Sequence, residues 1–125
     1  MTKLIECCKS IGVDYGDLIR RLSDEKLIIR LFGMLIEDTA MDALGKAIEA
    51  NDYEAAYAGA HTLKGIFMNL GMVRLARQSS AICEAVHTRS TGEIPALYRS
   101  LYEDYTITCD AVRLMLDKRE GGLDK

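Results

Sequence analysis

Ala60-His61-Thr62-Leu63-Lys64-Gly65-Ile66-Phe67-Met68-Asn69-Leu70-Gly71 is the stretch around which the rest of the chain is organised. Wound at about 100° per residue, it sorts into two faces. Leu63, Ile66, Phe67 and Leu70 share one side, with Ala56 and Gly59 behind them. His61, Lys64, Gly65 and Met68 share the other, and Tyr57 and Ala58 extend it one turn back. One helix therefore carries a core-facing stripe and, opposite it, a histidine on the wrong side to be core.

Immediately upstream, Asn51 is followed three residues on by Glu54, a capping-box spacing that predicts the start of this helix. Gly71 suits the residue just past its end, where φ turns positive. The next helix is expected to begin at once and run to about Thr88, burying Val73, Ala76, Ile82, Ala85 and Val86. Arg89-Ser90-Thr91-Gly92 reads as a turn, and Pro95 fits the first turn of a last helix, where its missing N–H is tolerated. That helix presents Leu97, Leu101, Tyr105, Thr108, Val112 and Met115, with Tyr98 and Leu114 alongside. Lys118 and Arg119 suit its C-terminal dipole, and Gly121-Gly122 is expected to stop it.

Toward the N-terminus, Leu27, Ile28, Leu31, Leu35 and Ile36 recur at helical spacing, and Met41, Leu44 and Ile48 continue with a change of phase. Residues 24–50 read as one long helix or two nearly collinear ones, bent near Asp38-Thr39. Gly33 and Gly45 inside it each cost about 1 kcal/mol relative to alanine and are read as points of close helix approach. Ser23 is read as its cap, followed by Asp24 and Glu25 in the first turn. Before it, Asp14 looks like the N-cap of a short helix with Asp17 in its first turn, and residues 2–10 form another amphipathic turn or two.

No strand-like alternation, internal repeat or low-complexity segment interrupts this pattern. The fold class is therefore all-α. Bundle helices at about 24–50, 52–70, 72–88 and 94–119, joined by short loops, predict an antiparallel up-down-up-down four-helix bundle within a single domain. Segments 2–22 would cap one end.

The totals narrow the function classes. The chain has 125 residues, 49% apolar and 28% charged, with net charge −3. That length can bury one core without staples, and that balance supplies no electrostatic reason to bind nucleic acid or an anionic membrane. The apolar runs are too short and too often charged for a transmembrane helix. Lys3, Glu6 and Lys9 leave no signal-peptide core near the start, so a cytoplasmic protein is expected. Cys7, Cys8, Cys83 and Cys109 show no CxxC spacing, which predicts reduced, mostly buried thiols and no bound metal.

The chemistry centres on His61. Lys64, one turn on, can neutralise an anion attached to the ring. Gly65 forgoes helix propensity beside both, which makes sense if another molecule must reach the imidazole. Tyr57, Ala58 and Met68 surround them with apolar surface suited to a transient protein contact. An exposed imidazole is largely neutral at pH 7 and nucleophilic without a general base. Nothing at i±3 or i±4 completes a Ser–His–Asp or Cys–His arrangement. In-line phosphoryl transfer needs mainly positioning and charge neutralisation, so phosphorylation of the ring by an incoming donor is what these residues permit. Neither GxGxxG nor GxxxxGK[ST] is present, so no phosphate-binding loop of that kind supports self-phosphorylation. His87, near a helix C-terminus, reads as structural, and Arg74 and Arg77 as a solvated face able to touch a partner or an attached phosphoryl group.

His61-Thr62-Leu63-Lys64-Gly65, with Gly71 six residues further on, resembles the HxxKGxxxxxG signature of histidine-containing phosphotransfer (HPt) domains. Asp24-Glu25, Ala50-Asn51-Asp52 and Leu75 are similar to the family's pattern, so that the resemblance spans roughly residues 14–116. It implies a free-standing phosphocarrier, not a kinase. His61 would accept a phosphoryl group from a receiver-domain aspartate and pass it to another, Lys64 would stabilise it, and Gly65 would admit the receiver. The implied partners are response-regulator receiver domains and a hybrid histidine kinase, with Mg²⁺ held by the receiver and this chain a monomer. The family often places a glutamine or glutamate near the histidine at the position of Cys83; Glu84, adjacent, is expected to point elsewhere. Two other readings share these residues. A receiver-binding adaptor would bind whether or not His61 is replaced. The phosphoacceptor module of a chemotaxis-type kinase would continue into dimerisation and catalytic domains.

Overall fold

Short side chains at the helix starts set the boundaries. In the computed structural model, which describes the backbone of residues 2–123 and the side chains of residues 2–117, Thr2 accepts a hydrogen bond from the Ile5 amide at 3.1 Å and opens α1 (Lys3–Ser10). Asp14 accepts from the Asp17 amide at 3.0 Å and opens α2 (Tyr15–Leu22), as its position predicts. Asp24 opens α3 (Glu25–Glu37), and α4 follows at Ala40–Glu49. Asp52 opens α5 (Tyr53–Asn69), α6 spans Val73–His87, and a 3-10 turn at Thr91–Glu93 leads into α7 (Ile94–Leu123). Among the described residues there is no strand.

Of the two readings of 24–50, the two-helix one holds, with the break at Asp38-Thr39: Asp38 is extended and its carboxylate accepts from the Ala40 amide at 2.7 Å, starting α4 afresh. Three boundaries differ from expectation. Ser23 is the left-handed end of α2 (φ 67°), and Asp24 is the cap of α3. Asn51 likewise closes α4, at φ 56°, with its amide donating to Ile48 and the Asp52 amide to Ala47; the cap of α5 is therefore Asp52, bonded to the Ala55 amide at 3.1 Å. At Ser23 and Asn51 a residue able to cap the following helix instead terminates the preceding one. Helix α7 runs on through Gly121-Gly122 to Leu123. Glycine weakens a helix without blocking its hydrogen bonds, so the pair does not stop it. The side chains of Lys118 and Arg119 lie outside the described residues.

Gly71 adopts the expected left-handed turn (φ 71°), with the Met72 amide bonded to Phe67 at 2.8 Å. That tight reversal lays α6 antiparallel on α5, and α4 packs on the other flank of α5. Helix α7 closes the bundle against α6, α4 and α3. Its direction is fixed by two buried-end hydroxyls: Tyr98 donates to the Met41 carbonyl at 2.8 Å and Tyr105 to the Leu35 carbonyl at 3.0 Å. Arg21 donates to the Asn69 carbonyl, and Val13 and Leu18 lie beside Gly71, so α2 and the loop before it cover the α5–α6 turn end, while α1 packs on α7. Tyr15 donates its hydroxyl to Glu25, tying α2 to α3.

The core joins Ile28, Phe32 and Leu35 to Met41, Leu44 and Ile48, and these to Ala56, Ala60, Leu63 and Phe67. Leu75, Ile82, Ile94, Leu101, Val112 and Met115 complete it. Two expected core positions are exposed. Val73 (53% exposed) is the first residue of α6, before the helix packs, and Leu114 (55%) lies off the stripe formed by Val112 and Met115.

Candidate functional site

On α5 the buried positions are Ala56, Ala60, Leu63 and Phe67, with Leu70 just past its end. The small residues let neighbours come close: a Cβ on Gly59 would sit 3.7 Å from Leu44. Burial of that stripe leaves His61, Tyr57, Ala58, Gly65 and Met68 exposed, with Lys64 half-buried beside them. Helix α5 thus presents one face to the core and all six candidate residues to the other side. Around Gly65 the space is open, and a Cβ there would meet nothing within 4 Å.

The rings of Tyr57 and His61, one turn apart, lie nearly parallel, with centroids 6.1 Å apart and planes inclined by 7°. Beneath them α6 contributes Cys83, half-buried, whose thiol donates to the Tyr57 carbonyl at 3.8 Å. Burial pushes that thiol's pKa up, and the nearby Lys64 ammonium pulls it partly back. Cys83 therefore lies on the α6 flank of the site, against the backbone of Tyr57. Glu84 lines a different hollow, with Ala85, Thr88 and Leu97.

Next to Lys64 an open hollow of about 340 Å³ is lined by Lys64, Met68, Val73, Ala76, Arg77 and Ser80. The two arginines of α6 part company here. Arg77 joins Lys64 on this hollow, whereas Arg74 pairs with Asp104 of α7 at 3.0 Å, alongside Gln78, which donates to the same carboxylate at 2.7 Å. Arg74 thus braces α6 against α7. Val73 and Ser80 were not legible as part of this surface, because each needs the α5–α6 turn to bring it across. His87 is exposed at the end of α6.

The remaining thiols are remote. Cys7 and Cys8 are buried in α1, and burial pushes them up to about 11 and about 12 respectively; Cys109 is buried in α7. Among the described residues, no group of three or more His, Cys, Asp or Glu side chains is placed to hold a metal ion. No helix among them is long and apolar enough to cross a membrane. The arrangement offers an accessible imidazole, a cation one turn away, and a bare, partly apolar surface on which a second protein can approach.

These features define a class: an all-helical bundle whose functional face is one surface histidine with its helical neighbours. A family model described as the Hpt domain matches residues 30–120, and the chain belongs to that family. No curated protein and no solved structure matches the chain. Hpt domains serve phosphotransfer in two-component signalling, where they interact with response-regulator receiver domains and histidine kinases.

Proposed function

We propose that this chain is a phosphocarrier whose acceptor is His61, taking a phosphoryl group from the aspartyl phosphate of one receiver domain and delivering it to another. The observation that carries this reading is the exposure of His61 one turn before Lys64 and the open face at Gly65, on a helix whose other face packs into the core. The unprotonated ring nitrogen forms the N–P bond as the P–O bond to the aspartyl carboxylate breaks, and the electron pair leaves with the carboxylate. The proton on the other ring nitrogen is released to solvent as the product imidazolium neutralises. Lys64 offsets the charge on the transferred group. Mg²⁺ belongs to the receiver, and the chain supplies no nucleotide site and no turnover of its own. Tyr57, Ala58 and Met68 form the surface that a receiver meets.

A relay assay tests the carrier role. A receiver domain carrying labelled phosphate and Mg²⁺ is mixed with the chain, the donor is removed, and a second receiver is added. Label that appears on the chain and then leaves for the second receiver supports carriage. Stable binding of receivers with no label on the chain would replace it with an adaptor role.

A further inference from the structure

We propose that Tyr57 is a positioning residue for phosphoryl transfer at His61, its ring setting the plane of the imidazole and hence the direction of the attacking lone pair. The proposal rests on the phosphocarrier reading and assigns Tyr57 a task distinct from contacting the partner.

A histidine on an exposed helix face has a broad, roughly two-fold χ2 well, so its ring plane is poorly determined by rotamer preference alone. The lone pair of a ring nitrogen lies in that plane. In-line transfer requires it to point at phosphorus opposite the leaving oxygen, so the plane of the ring decides whether an encounter is productive. Among the described residues, no hydrogen bond or ion pair holds the His61 ring. The aromatic ring beside it is that of Tyr57, parallel to within 7° at a centroid separation of 6.1 Å. That lies within the range for offset aromatic pairs.

Stacking suits this purpose because it restrains the plane without engaging either ring nitrogen. The backbone under the Tyr57 ring is tied to the next helix, since its carbonyl accepts from Cys83 at 3.8 Å across the α5–α6 contact. Cys83 stands where the family often carries a side chain that can bond the histidine directly. Here the next helix bonds the backbone of the residue beneath the ring, and the orienting contact comes from within α5.

The test compares wild type with Tyr57→Phe, which keeps the ring, and Tyr57→Leu, which keeps apolar bulk but removes the flat face. Transfer from a labelled phospho-receiver is followed in single turnover over a range of receiver concentrations, and His61 ring protons are followed by NMR. The expected result is a maximal rate at saturating receiver about tenfold lower in Tyr57→Leu, beyond any change in half-saturating concentration from the lost contact, and a maximal rate in Tyr57→Phe within about twofold of wild type. The His61 ring-current shift should survive in Tyr57→Phe and vanish in Tyr57→Leu. A changed half-saturating concentration with an unchanged maximal rate would make Tyr57 a docking contact only and overturn the proposal. So would His61 ring protons indifferent to loss of the aromatic ring. If wild type itself takes no label from any receiver of the host, the phosphocarrier reading fails and the positioning role falls with it. If wild type labels normally and Tyr57→Leu matches it, only the positioning role fails.

Discussion

A Cβ on Gly45 of α4 would lie 2.6 Å from the hydroxyl of Tyr98 on α7, the same hydroxyl that donates to the Met41 carbonyl at 2.8 Å. The glycine is the space in which that cross-bundle hydrogen bond is made. Gly45→Ala is therefore expected to destabilise the fold by about 1–2 kcal/mol. Overpacking and disturbance of the bond outweigh about 1 kcal/mol of recovered helix propensity. Urea unfolding should show a lower midpoint at constant slope. A raised midpoint would mean Tyr98 moves aside freely.

Gly65 predicts the opposite sign. Nothing lies within 4 Å of its would-be Cβ, so Gly65→Ala should raise stability by about 0.5–1 kcal/mol. If that open space is kept for a receiver, Gly65→Glu should abolish transfer while its circular dichroism stays that of wild type. Unchanged transfer rates in Gly65→Glu would refute the access role.

The contrast between these two glycines shows where the amino-acid sequence was legible. Both cost helix propensity, and helical phase already sets Gly45 apart as a close approach and Gly65 as an opening beside His61; what only the three-dimensional fold supplies is Tyr98 as the group Gly45 accommodates. The histidine helix, its inward Leu63 and Phe67 and its turn at Gly71 were readable because periodicity and φ preference are local. Ser23 and Asn51 misled because the same short polar side chains suit both a helix start and a left-handed helix end. Phe32 and Ile94, both fully buried, each continue a helical apolar spacing, with Ile28 and Leu35 and with Leu97 and Leu101, so their burial was locally legible although the expected core omitted them. Val73 showed the reverse, an apolar residue left exposed at a helix start. The Tyr57–His61 stack was implicit in the i, i+4 spacing, but its near-parallel geometry was not.

Thiol reactivity should rank the cysteines by surroundings. Cys83, half-buried and assisted by Lys64, should react first with a disulfide reagent at pH 8, and Cys7, Cys8 and Cys109 only as the protein unfolds. Lys64→Met should slow the Cys83 reaction, because the ammonium that favours the thiolate is gone. Labelling of Cys7 or Cys8 as fast as Cys83 would contradict their burial.

Alkaline pH should weaken the fold through α1. Burial raises Cys7 to about 11 and Cys8 to about 12 from an ordinary 9.0, so above pH 9 the unfolded chain has shed protons that the folded chain retains. Stability from these groups is thus complete below about pH 9 and falls as pH rises toward the folded values. Tyr98, also pushed up to about 12 by burial, adds to the same decline. Cys8→Ala, compared with its own midpoint at pH 7, should show a shallower fall between pH 9 and 11; an identical fall would remove Cys8 from the account.

The phosphorylation of His61 itself is tested most directly by one comparison. Wild type and His61→Gln are incubated with a labelled phospho-receiver and Mg²⁺, and the label on each is then challenged with acid and with alkali. The account predicts label on wild type that is lost in acid and survives alkali, and none on His61→Gln with its helical content intact. Label of the same lability on His61→Gln, or none on wild type across the host's receivers, would contradict it.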